Sequence, residues 1–158
     1  MADRCAVLRA GRVEQVDEPR RLYERPANRF VADFMGGANL IPGRVLARDG
    51  ARVRVRTACG EWLSEAVMGP ADPGAEVMLA IRPEALRLGQ AAPAGRVNAF
   101  SGRLADQAFL GETEETWVRL SDGTLLKTVG LGLTANHPDP QGAVTVEAAP
   151  EDVVTLSG

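Results

Sequence analysis

The carboxylates in the last third of the chain are the side chains best suited to binding chemistry. They are Asp106, Glu112, Glu114, Glu115 and Asp122. Carboxylate oxygens attract hard cations and ammonium groups, so this cluster is a candidate metal or polyamine site. Side chains alternate between faces along a strand, however, which places Glu112 and Glu114 on one face and Glu115 on the other. This split favours a solvated strand face, and we predict no metal site.

Three arginines alternate with valines in one strand-like segment. Arg52, Arg54 and Arg56 therefore share a face of the predicted strand. Such a row of guanidinium groups could bind an oxyanion, or it could prevent an exposed strand from pairing edge to edge with another chain. The second interpretation is favoured.

A third candidate is the corner formed by Arg82, Pro83 and Glu84. Pro83 has no backbone N–H to donate and therefore ends the predicted strand at residues 77–81. Arg82 and Glu84 then lie at a corner of the β region, where each can pair with another segment. A purely structural corner and a regulatory contact both stay open at this point.

Residues of catalytic type occur without the partners that catalysis needs. His137 is the only histidine, and neither it nor Asp139 has a nucleophile nearby to complete a catalytic set. One histidine, with Cys5 and Cys59 far apart in sequence, forms no structural zinc set. No segment matches the phosphate-binding loop Gly-x-x-x-x-Gly-Lys-Ser/Thr, and Lys127 is the only lysine. An enzyme is therefore the least supported class.

Four aromatic residues could stack on nucleic-acid bases, as they do in some OB-like barrels. They are Trp62, Phe100, Phe109 and Trp117. The net charge is −3 and both signs are mixed along the chain, so there is no basic groove to track a phosphate backbone. We predict that these aromatics pack in a core or an interface, and that nucleic acid is not a partner.

The elements that carry these residues change character near residue 39. Before it, apolar runs around Gly11 predict a hairpin, and Pro19 and Asn28 predict the starts of two helices. After it, short strands with frequent turns predict a small barrel or sandwich, with no evident long-period repeat. The strand candidates are residues 43–46, 52–56, 77–81, 96–104, 116–120, 125–129 and 143–148.

The first 38 residues are too few to bury a core of their own. They have the pattern of the last elements of a larger α/β domain, which leaves the first strand without its sheet neighbours. We expect this strand to pair with the β region or with another chain, or to fray, and we expect the unpaired edge to favour self-association.

Several segments resemble importer-type ABC ATPases in order and spacing. Residues 2–16, ADRCAVLRAGRVEQV, resemble the stretch after the switch histidine of that family. Residues 18–36, EPRRLYERPANRFVADFMG, resemble the segment that closes its ATPase domain, and residues 39–43, NLIPG, resemble the start of its TOBE domain. Cys5 and Asp17 depart from the family, which usually has an aliphatic residue and a glycine there. Shorter matches are AIRPE at 80–84, LGET at 110–113 and APEDV at 149–153.

This resemblance implies a mainly β chain. Residues 39–158 are expected to form an OB-fold-like TOBE barrel, and residues 1–38 a hairpin and two helices left from an ATPase domain. The implied role is regulatory and dimerising, without catalytic residues or a cofactor here, since ATP and Mg²⁺ belong to the ATPase domain of the intact subunit. Ligand or regulatory contacts are expected at Arg82, Glu84, Gly111, Glu112 and Thr113.

The resemblance also implies partners and a location. The expected partners are a second copy of the chain, the membrane subunits reached through the ATPase domain, and the transported solute or a regulator. The expected location is the cytoplasmic face of the plasma membrane. The alternative function is a stand-alone β module that binds an oxyanion, a metal ion or a polyamine.

Overall fold

Strands dominate the computed structural model, which describes residues 3–90, 95–131 and 143–157. The N-terminal part begins with an antiparallel hairpin of β1 (Cys5–Arg9) and β2 (Arg12–Asp17), as predicted. Its turn residues, Ala10 and Gly11, have φ angles of 48° and 79°. Within the described residues the hairpin pairs with no other strand, so both of its outer edges are unpaired there.

Two helices of six residues each follow, α1 (Pro19–Glu24) and α2 (Arg29–Phe34), also as predicted. Proline begins α1, and the Asn28 carboxamide caps α2 by accepting a hydrogen bond from the Val31 N–H at 3.0 Å. Helices this short depend on tertiary packing for stability. The side chains buried between hairpin and helices are Val7, Leu22 and Val31. No helix among the described residues is long and apolar enough to cross a bilayer.

The β region contains eleven described strands. They are β3 (Asn39–Asp49), β4 (Arg52–Thr57), β5 (Gly60–Ser64), β6 (Ala66–Met68), β7 (Glu76–Ile81), β8 (Arg87–Gln90), β9 (Ala99–Phe109), β10 (Thr113–Leu120), β11 (Leu125–Leu131), β12 (Ala143–Glu147) and β13 (Val153–Ser157). One sheet has the order β5-β4-β3-β7-β13-β6, and the other β11-β10-β9-β12-β8. The chain is therefore mainly β, as the sequence predicted.

Each of the two sheets contains one strand that follows the other half of the β region in sequence. We call residues 39–81 the first half and residues 98–147 the second half. After the first half, a 3₁₀ turn at Pro83–Ala85 leads into β8, which pairs with β12 of the second half. After the second half, a 3₁₀ turn at Pro150–Asp152 leads into β13, which pairs with β7 of the first half. Neither sheet is complete without a strand from beyond its own half.

Matching side chains mark the two halves as a structural repeat. Asn39 bonds to the backbone N–H and C=O of Lys127 at 2.7 and 2.8 Å. Asn98 makes the same two bonds to the backbone of Leu63, also at 2.7 and 2.8 Å. Each asparagine thus joins the start of one half to the edge strand of the other. The repeat is not evident in the sequence, because the halves share only short motifs such as Asn-x-x-x-Gly-Arg at 39–44 and 98–103.

A single apolar core lies between the sheets and takes residues from both halves, including Val55, Leu79, Val118 and Val146. Trp62 is fully buried there, with its ring centroid 4.4 Å from that of Phe100. A second cluster lies outside the first sheet, where α2 contributes Ala32. Its other buried members are Ala66, Ala80, Val154 and Leu156. The helical segment is therefore packed onto the β region through α2.

Candidate functional site

Arg82 lies where β7 ends and connects the β region to both helices. Its Nε and Nη2 donate to the Tyr23 carbonyl at 2.9 and 2.7 Å, and its Nη1 donates to the Gly36 carbonyl at 2.7 Å. These carbonyls lie at the C-terminal ends of α1 and α2, where no intrahelical donor is available. One guanidinium therefore fixes the ends of both helices, and we call this arrangement the Arg82 clamp.

Tyr23 and Glu84 complete the Arg82 clamp. The Arg82 guanidinium carbon lies 3.9 Å from the centre of the Tyr23 ring, and the Tyr23 hydroxyl donates to Glu84 Oε1 at 2.6 Å. Burial, with further contributions from the hydrogen bond and charge of Glu84, raises the pKa of Tyr23 to about 12. Burial lowers the pKa of Arg82, against the opposing effect of Tyr23 and Glu84. The clamp is thus a half-buried cation and a half-buried aromatic ring joined to an exposed carboxylate.

A cleft of about 460 Å³ opens beside the clamp, between α1 and the β region. Its walls carry both signs of charge, from Arg20, Glu24, Arg25 and Asp152. Burial, followed by the charge of Glu151, raises the pKa of Asp152. The cleft therefore lies at the contact between the helical segment and the β region, where a bound molecule would touch both.

The five predicted site residues do not form one cluster. Arg82 and Glu84 belong to the clamp, whereas residues 111–113 lie at the turn between β9 and β10, closed by a 2.8 Å hydrogen bond from Leu110 N to Thr113 O. Phe109 and Leu110 at this turn are 64% and 61% exposed. Phe109 was predicted to pack in a core or an interface, and it lies outside the core. Tyr23 was missed, because its contact with residues 82 and 84 spans some 60 positions of sequence.

The carboxylate cluster is dispersed in the structure. Glu115 pairs with Lys127 at 2.6 Å, and Asp122 binds the backbone and hydroxyl of Thr124 in the following turn. Glu114 faces a separate cleft beside Glu84. No group of three or more metal-binding side chains occurs within residues 3–90, 95–131 and 143–157. His137 lies outside the described residues.

The arginine row is exposed and ion-paired. Arg56 and Arg54 contact Glu61 at 2.7 and 3.9 Å, and Arg52 contacts Glu65 at 2.7 Å. The valines between them are buried, as the alternation predicted. The edge-protecting role, however, was a wrong prediction, because β4 lies between β3 and β5 and is not an edge strand.

Comparison with known proteins places these features in context. Residues 79–156 match the family model of the TOBE domain. The chain is 42% identical over 125 residues to the spermidine/putrescine import ATP-binding protein PotA of Rubrobacter xylanophilus, covering 78% of this chain and 32% of that protein. It is 44% identical over 126 residues to PotA 1 of Pseudomonas aeruginosa, covering 80% of this chain and 33% of that protein. The chain thus spans about a third of the length of these relatives.

A solved structure shares the fold. The cytoplasmic molybdate-binding protein ModG, with molybdate bound, matches at a TM-score of 0.64 and 15% identity, over 76% of this chain and 96% of that chain. At this level of identity the likeness concerns the architecture of the β region and not its ligand.

Proposed function

Because this chain carries a TOBE domain and corresponds to the C-terminal segment of importer-type ABC ATP-binding subunits, we propose that it serves such a subunit as its regulatory and dimerisation region. The observation that carries this proposal is the Arg82 clamp. It joins the β region to the helices that resemble the end of an ATPase domain, through charged hydrogen bonds that are stronger than neutral ones. A conformational change in the β region is thereby transmitted to the helices, and the reverse.

In this proposal residues 1–38 end the ATPase domain and residues 39–158 form the regulatory domain. The intact subunit holds ATP and Mg²⁺, docks on the membrane subunits of an importer at the cytoplasmic face, and pairs with a second copy. The β region shifts the ATPase between open and closed states by as much as its ligand or partner prefers one of them. The names of the relatives favour a polyamine as the transported solute.

The clamp is tested in a chimera in which this chain replaces the matching third of the Rubrobacter protein. Arg82→Gln removes the cation that holds both helix ends. We expect the ratio of solute-stimulated to basal ATP hydrolysis to fall about fivefold or more, the lower range of an allosteric coupling. Arg48→Gln, an exposed arginine of β3, is the matched control.

An Arg82→Gln chimera with the same ratio as the control would contradict the proposal. If the chimera does not assemble, hydrogen exchange of the purified chain decides, because the loss of the clamp should speed amide exchange in α1 and α2. Equal exchange in the two variants counts against the clamp. Light scattering tests the second copy, and a monomer at high concentration counts against dimerisation.

The second candidate is a stand-alone module that binds an oxyanion. ModG binds molybdate and shares the fold, and a groove of about 520 Å³ here is lined by Arg29, Arg44 and Arg56. Arg44 and Arg56 already pair with Glu76 and Glu61 at 3.2 and 2.7 Å, which makes this function the weaker of the two. A rise in melting temperature with molybdate but not with chloride would support it.

A further inference from the structure

The two halves of the β region match position by position around two glycines. A Cβ at Gly43 would lie 2.5 Å from Val55 of the neighbouring strand, and a Cβ at Gly102 would lie 2.6 Å from Val118. The strands β3, β4, β5 and β7 of the first half therefore correspond to β9, β10, β11 and β12 of the second, in the same order across the sheet. The first half thus serves as an internal comparison for the second.

Both halves place two arginines directly opposite each other on the face of the sheet that points away from the core. In the first half Arg44 lies across from Arg56, and in the second half Arg103 lies across from Arg119. All four residues are exposed. Like charges directly opposite each other on neighbouring strands are destabilising, so each pair favours a nearby counter-charge.

The first half supplies that counter-charge itself. Glu76 of β7 lies across from Arg44, and Glu61 of β5 lies across from Arg56. The carboxylates approach the two guanidinium groups to 3.2 and 2.7 Å. These four side chains form a row without net charge, so the first half needs no ligand to balance its arginine pair.

The second half lacks both counter-charges. At the positions of the two glutamates it has Ala143, across from Arg103, and Leu125, across from Arg119. Among the residues that the structure describes, neither arginine side chain has an ion-pair or hydrogen-bond partner. Two guanidinium groups therefore lie side by side on neighbouring strands without the compensation that the first half has.

The second half also has hydroxyl donors that the first half lacks. Ser101 precedes the arginine of β9 by two positions, and Ser121 follows the arginine of β10 by two. The matching residues of the first half are Pro42 and Ala58, which have no side-chain donor. Both serines and both arginines of the second half line a cleft of about 320 Å³, which we call the arginine cleft. This volume is enough for a small ligand.

We propose that the arginine cleft binds a soluble phosphate compound. Guanidinium groups suit phosphate because their N–H donors form a planar fork that matches two of its oxygens. A phosphate group carries about two negative charges at neutral pH, so one group replaces both missing carboxylates. Arg103 and Arg119 donate to the phosphate oxygens, and the hydroxyls of Ser101 and Ser121 donate to those that remain.

The test is a titration of the purified chain with inorganic phosphate, followed by the amide resonances in nuclear magnetic resonance spectra. Chloride keeps the ionic strength constant, because salt screens exposed charges. We expect saturable shifts at residues 101–103 and 119–121. A titration without saturation, or with shifts centred on Arg44 and Arg56, overturns the site. The arginine cleft shares no residue with the Arg82 clamp, so this failure would leave the proposed function standing.

One substitution locates the binding. Arg119→Gln is expected to weaken phosphate binding about fivefold, the upper end for one exposed ion pair. Arg48→Gln removes an exposed arginine of β3 that lies outside the cleft, and it should leave the affinity unchanged. Equal affinities of the two variants contradict the site.

A double variant tests the comparison between the halves. Leu125→Glu together with Ala143→Glu copies Glu61 and Glu76 of the first half. Both positions are exposed, so we expect the protein to fold normally. The new carboxylates should pair with the two arginines and abolish phosphate binding. A folded double variant that binds phosphate as the wild type does would overturn the proposal.

The source of the phosphate is decided by two further measurements. Glycerol phosphate represents a soluble ester, and vesicles of phosphatidylcholine with phosphatidic acid represent a lipid headgroup. We expect glycerol phosphate to bind and the vesicles not to sediment the chain, because its net charge of −3 disfavours an anionic membrane surface. Co-sedimentation that Arg119→Gln abolishes would instead assign a lipid headgroup and reject the soluble ligand.

Discussion

At Tyr23, one side chain contacts both an arginine and a carboxylate of the corner that follows β7. Its ring lies under Arg82 and its hydroxyl donates to Glu84. Tyr23 is the only tyrosine of the chain, so the ultraviolet absorbance of tyrosinate reports on the clamp alone. This residue is therefore the most direct probe of whether the helical segment and the β region stay joined.

The titration of Tyr23 is the first prediction at this scale. Its pKa is raised to about 12, compared with about 10 in an unfolded chain. The folded state thus favours the neutral phenol, and this contribution to stability is complete below pH about 10 and lost as the pH rises towards 12. Glu84→Gln should lower the pKa part of the way, since burial is the larger cause. A wild-type titration near the unfolded value would contradict the clamp geometry.

Thr155 provides a second prediction at the residue scale. It is fully buried in β13, and its hydroxyl has no hydrogen-bond partner among the described residues. Valine has nearly the same shape without the polar group, so Thr155→Val is expected to raise the free energy of unfolding by about 1 kcal/mol. Ser64→Ala is the matched contrast, because it breaks the 2.6 Å bond to Val153 O and should destabilise. Urea denaturation measures both, and a less stable Thr155→Val protein would reject this reasoning.

At the element scale, strong local signals made the hairpin, both helices and β4 predictable. Gly11, Pro19 and Asn28 have direct physical roles at turns and helix starts, and β4 has one buried face and one exposed face. By contrast, β13 is buried at four of its five positions. A strand covered on both faces shows no alternation, which is why it was not predicted.

The limits of β9 and the candidate site needed information from distant residues. The predicted strand 96–104 begins only at Ala99, because Asn98 has a φ of 53° and uses its side chain to bridge to Leu63. The corner at Arg82 was predicted from Pro83. Its partners on the helices were not predicted, since Tyr23 and Gly36 lie 59 and 46 positions away in sequence.

Gly43 and Gly102 occupy matching positions of the two halves, each in close contact with a valine of the neighbouring strand. Gly102 carries the prediction at the element scale. A Cβ at Gly102 would lie 2.6 Å from Val118 Cγ1 and 2.8 Å from the Arg119 carbonyl oxygen. The backbone must shift to admit it, so Gly102→Ala is expected to lower the free energy of unfolding by about 1–3 kcal/mol. Gly89→Ala is the control, because a Cβ there meets nothing within 4 Å. Equal stability of the two variants, measured by urea denaturation, would contradict the close packing.

At the scale of the whole molecule, the exchange of β8 and β13 makes the two halves depend on each other. Each sheet includes a strand that follows the other half in sequence, and Asn39 and Asn98 bond across the halves at their edges. The core between the sheets is also shared. Neither half can therefore open without removing a strand and core contacts from the other.

The shared architecture predicts that both halves unfold in one transition. Trp62 reports on the first half and Trp117 on the second, so Trp117→Phe and Trp62→Phe each leave a single fluorescent probe. Because opening one half removes a strand and core contacts from the other, we expect the two probes to give the same urea midpoint once each variant is compared with its own circular-dichroism midpoint. Two separate midpoints within one variant would mean that the halves are independent, and coupling through the clamp would then be confined to the first half.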